Sequence, residues 1–129
     1  MIKISVITVV FNDVKNIEKT ILSVINQNSQ SFEYLVIDGG SNDGTLEVIQ
    51  KYKDRINLIV SEPDKGLYDA MNKALKFANG EWVYYLNSND EFLEDTILLN
   101  IEKKLDKEND VIQIKSAFFY PGVLFTVAI

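Results

Sequence analysis

The side chains able to do chemistry in this chain are oxygen donors, with one aromatic ring among them, gathered at four points. They are Thr8 with Phe11 and Asn12, the run from Asp38 to Asp43, Asp64, and Asn87-Ser88-Asn89-Asp90. Histidine and cysteine are both absent. A general base must therefore be Asp or Glu, or less often Lys or Tyr. A metal ion would be held by oxygen, which favours Mg²⁺ or Mn²⁺ over zinc. Without cysteine there are no disulfides, thiolate metal sites or cysteine nucleophiles, a composition compatible with a reducing compartment. Taken locally, Asn87 to Asp90 also has the make-up of a common polar turn. Asp38 to Gly44 likewise suits a tight strand-to-helix turn capped by Ser41 or Asp43.

The element in front of each point gives it weight. Ile4 to Val10 is almost wholly apolar and β-branched, as in a strand buried on both faces of a parallel sheet. Beyond it Ile17, Ile21, Val24 and Ile25 recur at helical spacing, with Asn12 or Asp13 placed to cap the first turn. Tyr34 to Ile37 is a second strand, and Thr45 to Tyr52 a helix with Leu46, Ile49 and Tyr52 inward. Leu58 to Val60 is a third strand, stopped by Pro63. The following helix carries one apolar stripe, Leu67, Met71, Ala74, Leu75 and Ala78, and ends at Asn79-Gly80. Trp82 to Leu86 is the fourth strand. Asp95 then caps a helix with Ile97, Leu98, Ile101 and Leu105 inward, and Val111 to Ile114 is a further strand.

Such alternation implies right-handed crossovers and a Rossmann-like, doubly wound α/β fold, a mostly parallel sheet with helices on both faces. All four polar points then lie outside the carboxyl ends of strands, where ligands bind in open sheets. The strands at Ile4 and Trp82 should be neighbours, with the strand ending at Asp38 on the far side of the first. At such an edge Phe11 could stack on a base, Asp38 could accept from a ring N–H or from ribose, and Asp90 could hold a divalent ion on a diphosphate. Neither a P-loop nor a dinucleotide fingerprint is present.

The net charge of −6, with 13 basic residues among 19 acidic ones, excludes a broad nucleic-acid surface. No run of 18 or more apolar residues occurs, so membrane association is expected only at a surface. Residues 116–129 carry no charge, and Pro121-Gly122 suggests a turn joining two short strands. An exposed apolar strip of this kind is expected to be paired or covered, in a homodimer formed through the tail.

Four motifs in order make the resemblance specific. They are Ser5-Val6-Ile7-Thr8-Val9-Val10-Phe11-Asn12, Val36 to Thr45 (Val-Ile-Asp-Gly-Gly-Ser-Asn-Asp-Gly-Thr), Ser61 to Asn72 (Ser-Glu-Pro-Asp-Lys-Gly-Leu-Tyr-Asp-Ala-Met-Asn), and Leu86-Asn87-Ser88-Asn89-Asp90. Over roughly its first 110 residues the chain resembles the nucleotide-sugar half of family-two, inverting, type-A glycosyltransferases, especially the bacterial branch that builds extracellular polysaccharide. The resemblance implies transfer of a sugar from a nucleotide diphosphate donor to a hydroxyl of a sugar or lipid-linked acceptor. It also implies Mg²⁺ or Mn²⁺ held through the donor diphosphate, and a cytoplasmic location, peripheral at most to the inner face of the membrane.

By motif position, Thr8 and Phe11 resemble the base- and ribose-contacting strand end, with Asn12 beside them, and Asp38 the nucleoside-binding carboxylate. Asp64 resembles a further nucleotide-side contact, and Asp90 the metal-binding carboxylate of an Asp-x-Asp-type motif. Asn87 and Asn89 stand where many relatives carry Asp, and Gly39 replaces a second acidic residue. The division expected is residues 1–115 as the nucleotide-sugar-binding domain and 116–129 as an apolar tail. In the family the acceptor half and the catalytic base lie beyond the matched region. No base is assigned, and a truncated chain is one expectation. The other reading is a non-catalytic module that binds a nucleotide sugar or assembles with another chain.

Overall fold

The computed structural model describes residues 1–105 throughout and residues 111–114 and 123–127 as strand backbone. The unbroken apolar and β-branched run makes β1 (Ile4–Val10), with every residue buried. A strand buried on both faces belongs at the centre of a sheet. There β1 pairs in parallel with β2 (Phe32–Asp38) on one side and β4 (Trp82–Tyr85) on the other. The third strand, β3 (Leu58–Ser61), pairs in parallel with β2. The places of β2 and β4 on either side of β1 are those expected from the sequence.

Two further strands, β5 (Val111–Ile114) and β6 (Val123–Val127), complete the order β3-β2-β1-β4-β6-β5. Both of their pairings are antiparallel, β6 against β4 and β5 against β6. Alternation of strands and helices carries no signal for such an antiparallel edge. The stretch before Pro121 expected to form the first tail strand lies outside the described residues.

Helices cover both faces. On one, α1 (Ile17–Ile25), α2 (Thr45–Gln50) and α4 (Ile97–Glu102) bring Ile17, Ile21, Ile49 and Leu98 against Ile4, Val6 and Val10. On the other, α3 (Leu67–Leu75) sets Ala70 and Ala74 against Ile7, Val9, Leu35 and Val83. Each large side chain so buried contributes about 2 kcal/mol. No helix of the described residues is long and apolar enough to cross a membrane.

Local readings differ from the structure at four places. The stripe expected on α3 holds at Met71, Ala74 and Ala78, which pack toward the sheet, but Ala70 joins them while Leu67 and Leu75 are 48% and 43% exposed. Two alanines one turn apart let the helix backbone approach the sheet closely, a geometry that leucines there would prevent. Gly80 does not end that helix, which stops at Leu75. A Cβ at Gly80 would stand 2.6 Å from the Ser5 amide nitrogen, so this glycine is required by contact with β1. Neither Asn12 nor Asp13 caps α1, whose N-cap is Asn16 without a side-chain bond; Asp13 instead accepts from the Asn16 and Ile17 amides through its backbone carbonyl. Asp95 does not cap α4 either. The Leu98 amide donates to Gln27 Oε1 at 3.0 Å, a cap supplied from the end of α1 by a residue distant in sequence.

Candidate functional site

Because β1 to β4 are parallel and adjacent, the loops that leave them all emerge on one edge of the sheet. Their backbones extend the ladder slightly: Gly39 N donates to Val10 O and Ser88 N to Val9 O, at 2.9 and 3.1 Å. The loops are then stitched to one another. Asn12, at φ 49°, donates its amide to Ser41 Oγ and accepts the Asn42 amide on Oδ1, which joins the first loop to the second. Ser61 Oγ donates to Asp38 Oδ2 at 2.7 Å, joining the second to the third. Ser88 Oγ donates to Asp13 Oδ2 at 2.7 Å, joining the fourth to the first.

Between them lies a cleft of about 500 Å³ lined by Val9, Val10, Phe11, Asn12, Asp13, Asp64, Gly66, Leu67, Asn87 and Ser88. Phe11 is 60% exposed, which is unusual for so large an apolar ring and leaves its face open to a ligand. Leu67, the residue that turned away from the core, is part of the same lining. The lining holds two carboxylates, Asp13 and Asp64, and no lysine or arginine. A diphosphate would be repelled by such a wall without a bridging cation.

The candidates chosen from the sequence are placed in three ways. Phe11, Asn12, Asp64 and Asn87 come together on the cleft wall. Thr8 and Asp38 are fully buried behind it. Thr8 Oγ1 donates to Leu86 O at 2.6 Å and is bonded to Tyr34 Oη at 2.8 Å. Asp38 accepts from Gly40 N, Ser41 N, Ser41 Oγ and Ser61 Oγ, so its carboxylate organises the loop around itself. Asn89 and Asp90 form the outer turn of the fourth loop. Asn89 sits at φ 80° with its amide on Thr20 Oγ1, and that hydroxyl donates on to Asp90 O at 2.7 Å.

The Asp90 side chain is 8% exposed. Its charge adds to burial in pushing the Tyr84 hydroxyl above the usual tyrosine range. Beside the second loop, bonds from Thr45 hold the Asp43 carboxyl below the usual carboxylate range. Among the described residues no three Asp or Glu side chains gather to form a metal cage. Sequence reasoning passed over Asp13, Gly66 and Leu67 as lining residues. Asp13 followed Asn12 directly and was within reach of the same argument, whereas an apolar Leu67 on a helical stripe carries no signal for a cleft.

Comparison with known proteins fits this geometry. The description of Glycosyl transferase family 2 matches residues 5–126. Bacillus subtilis (strain 168) TuaG, a protein named for teichuronic acid biosynthesis, is 34% identical over 107 residues, covering 81% of this chain and 42% of its own length. The crystal structure of Staphylococcus aureus TarS 1-349 in complex with UDP-GlcNAc is 32% identical, with a TM-score of 0.78 over 88% of this chain and 34% of that one. A mannosyltransferase from Pyrobaculum calidifontis, solved with GDP-Man and Mn²⁺, shares the fold at a TM-score of 0.82 and 20% identity, covering 97% of this chain and 44% of that one. The chain thus spans less than half the length of these relatives. With the fold of type-A glycosyltransferases and a family match over nearly its whole length, the chain belongs to glycosyl transferase family 2.

Proposed function

We propose that this chain binds the nucleotide diphosphate sugar donor for an inverting glycosyltransferase of bacterial cell-surface polysaccharide synthesis. The observation that carries the reading is the cleft at the carboxyl ends of β1 to β4, in which an exposed aromatic ring, two carboxylates and two amides converge. The UDP-GlcNAc complex of TarS supports the ligand class. In this reading Phe11 and Leu67 flank the nucleobase, Asn12, Asp64 and Asn87 supply polar contacts, and buried Thr8 and Asp38 hold the loops that carry them. Asn89 and Asp90, which lie outside the described lining of the cleft, are assigned to the diphosphate by their place in the motif. In the transfer the acceptor oxygen, from a sugar or lipid-linked hydroxyl, bonds to the anomeric carbon as its bond to the diphosphate breaks. The bonding pair leaves on the diphosphate, and the hydroxyl proton goes to a base that this proposal does not assign.

The donor set fits Mg²⁺ or Mn²⁺. Such ions are commonly held by one or two carboxylates together with substrate phosphates and water, without a protein cage. Asp90 is the residue proposed to hold the ion, which when bound would neutralise the diphosphate beside the acidic wall. Self-association through the uncharged 116–129 segment belongs to the same proposal, though not by edge pairing of β6, whose backbone is already paired with both β4 and β5; light scattering that shows a soluble monomer would remove it. Isothermal titration of the chain with UDP-, GDP- and dTDP-sugars, with and without Mn²⁺, tests the donor reading. One nucleotide series should bind, more tightly with the ion. Absence of binding by every donor would overturn it.

A further inference from the structure

Asp38 and Asp64 are both candidates for reading the nucleotide, and their surroundings separate them. Both oxygens of Asp38 already accept from the chain, Oδ1 from Ser41 Oγ and Oδ2 from Gly40 N, Ser41 N and Ser61 Oγ. Asp64 is half-buried, and its Oδ1 accepts only the Gly66 amide at 3.0 Å, a bond that fixes the carboxylate plane. Among the described residues its Oδ2 takes no hydrogen bond. Neither described ion pair, Lys3–Glu81 or Lys73–Glu62, involves it. A carboxylate oxygen in a cleft wall with no donor of its own is an acceptor waiting for a donor group from a ligand.

The position of that oxygen depends on Gly39. A Cβ there would lie 2.7 Å from Asp64 Oδ2 and 3.2 Å from its Cγ, closer than real contacts allow. Gly39 is itself pinned by its amide to Val10 O, so any side chain at 39 must displace Asp64. The glycine and the carboxylate therefore form one unit: the absence of a side chain on the second loop admits the acid from the third. Phe11 and Leu67, both substantially exposed, line the same cleft and offer apolar flanks to a flat ring.

Building on the donor reading above, we propose that Asp64, seated against Gly39, selects the nucleobase by accepting its ring N–H. The chemistry it fits is a lactam or imide N–H beside a carbonyl, as in uracil, thymine or guanine. Cytosine and adenine present a ring nitrogen lone pair at the corresponding place, which the carboxylate repels.

The test is titration calorimetry of the full 129-residue chain with UDP, CDP, GDP, ADP, 2′-deoxy-UDP and N3-methyl-UDP, in Mn²⁺. Loss of a hydrogen bond to a charged group corresponds to about tenfold to a hundredfold in affinity. Wild type should prefer UDP or GDP over CDP and ADP by that factor. If uracil is the base, N3-methylation should cost the same factor and 2′-deoxygenation little. Asp64→Ala should erase the preference among bases, and Gly39→Ala should do so with Asp64 still present. Circular dichroism confirms that each variant is folded. The inference is overturned if both folded variants keep the wild-type ratio of UDP or GDP to CDP, or if 2′-deoxygenation alone carries the loss. Failure of wild type to bind any of the diphosphates would overturn the donor reading, and this inference with it.

Discussion

The two ends of the sheet treat their buried carboxylates differently. At the amino end Glu33, 4% exposed, accepts from Ser5 Oγ at 2.5 Å and the Asn79 amide at 2.6 Å on one oxygen, and from Asn79 Nδ2 at 3.2 Å on the other. Gly80 N donates back to Ser5 Oγ at 2.8 Å. Every partner comes from the chain, and the cluster lines none of the described clefts. At the carboxyl end both oxygens of Asp38 are likewise engaged by the chain, whereas Asp64, a lining residue of the cleft, keeps one oxygen with no donor among the described residues. Saturation marks a group that holds structure, and an unfilled acceptor on a concave wall marks one kept for a ligand.

The largest effect expected from this contrast is on stability at the amino end. Glu33→Ala strips two oxygens from a buried cluster and leaves the Ser5 hydroxyl and Asn79 amide without an acceptor. A loss of about 3 kcal/mol should follow, a fall in melting temperature of roughly 10 °C for a domain this size. Nucleotide affinity per folded molecule should not change. A variant that melts normally yet loses nucleotide would break the distinction between the two ends.

Next in size is a loss of ion-dependent binding at the other edge. The backbone around Asp90 is held by the Thr20 hydroxyl and by the Asp90 amide on Asn87 O. Asp90→Ala should abolish the Mn²⁺-dependent tightening of a nucleoside diphosphate, worth about 2 kcal/mol, while binding without Mn²⁺ stays near wild type. Titration calorimetry in both conditions reads the difference. Equal weakening with and without the ion would show that Asp90 does not act through it.

How far the molecule could be read from its residues follows the same division. The central strands were legible because their apolar runs need cover on both faces, and the order of β2, β1 and β4 followed from where the polar points had to meet. What escaped were features set by contacts distant in sequence. Gln27 caps a helix some 70 residues away, and Gly80 is required by a strand at the start of the chain. The inward place of Ala70 on α3 was hidden because Leu67 and Ala70 are both apolar, and only the closeness of the sheet decides which turns inward. At the site, residue type placed Thr8, Asp38 and Asp64 on one edge but could not tell a filled acceptor from an open one. That distinction depends on hydrogen bonds between loops.

The smallest effect tests Thr8, which lies at the carboxyl edge by sequence but is saturated like Glu33. Its hydroxyl donates to Leu86 O, so the Tyr34 hydroxyl must be the donor in their 2.8 Å bond. Tyr34→Phe removes that donor and leaves the Thr8–Leu86 bond intact, so at neutral pH it should cost about 1 kcal/mol and leave nucleotide affinity unchanged. Burial pushes the Tyr34 hydroxyl well above its ordinary value of 10.0. The stability this shift represents is fully present below the unfolded value. It is lost as pH rises from there toward the folded value, because the unfolded chain ionises first. Phenylalanine has no such ionisation. The gap between wild type and Tyr34→Phe, read from urea midpoints at pH 7 and pH 11, should therefore shrink at the higher pH, while Tyr84, shifted in the same direction, keeps a residual alkaline slope in both. A gap that holds constant or widens would mean that the Tyr34 hydroxyl is not sealed from water, and Thr8 would then belong with the open groups of the cleft.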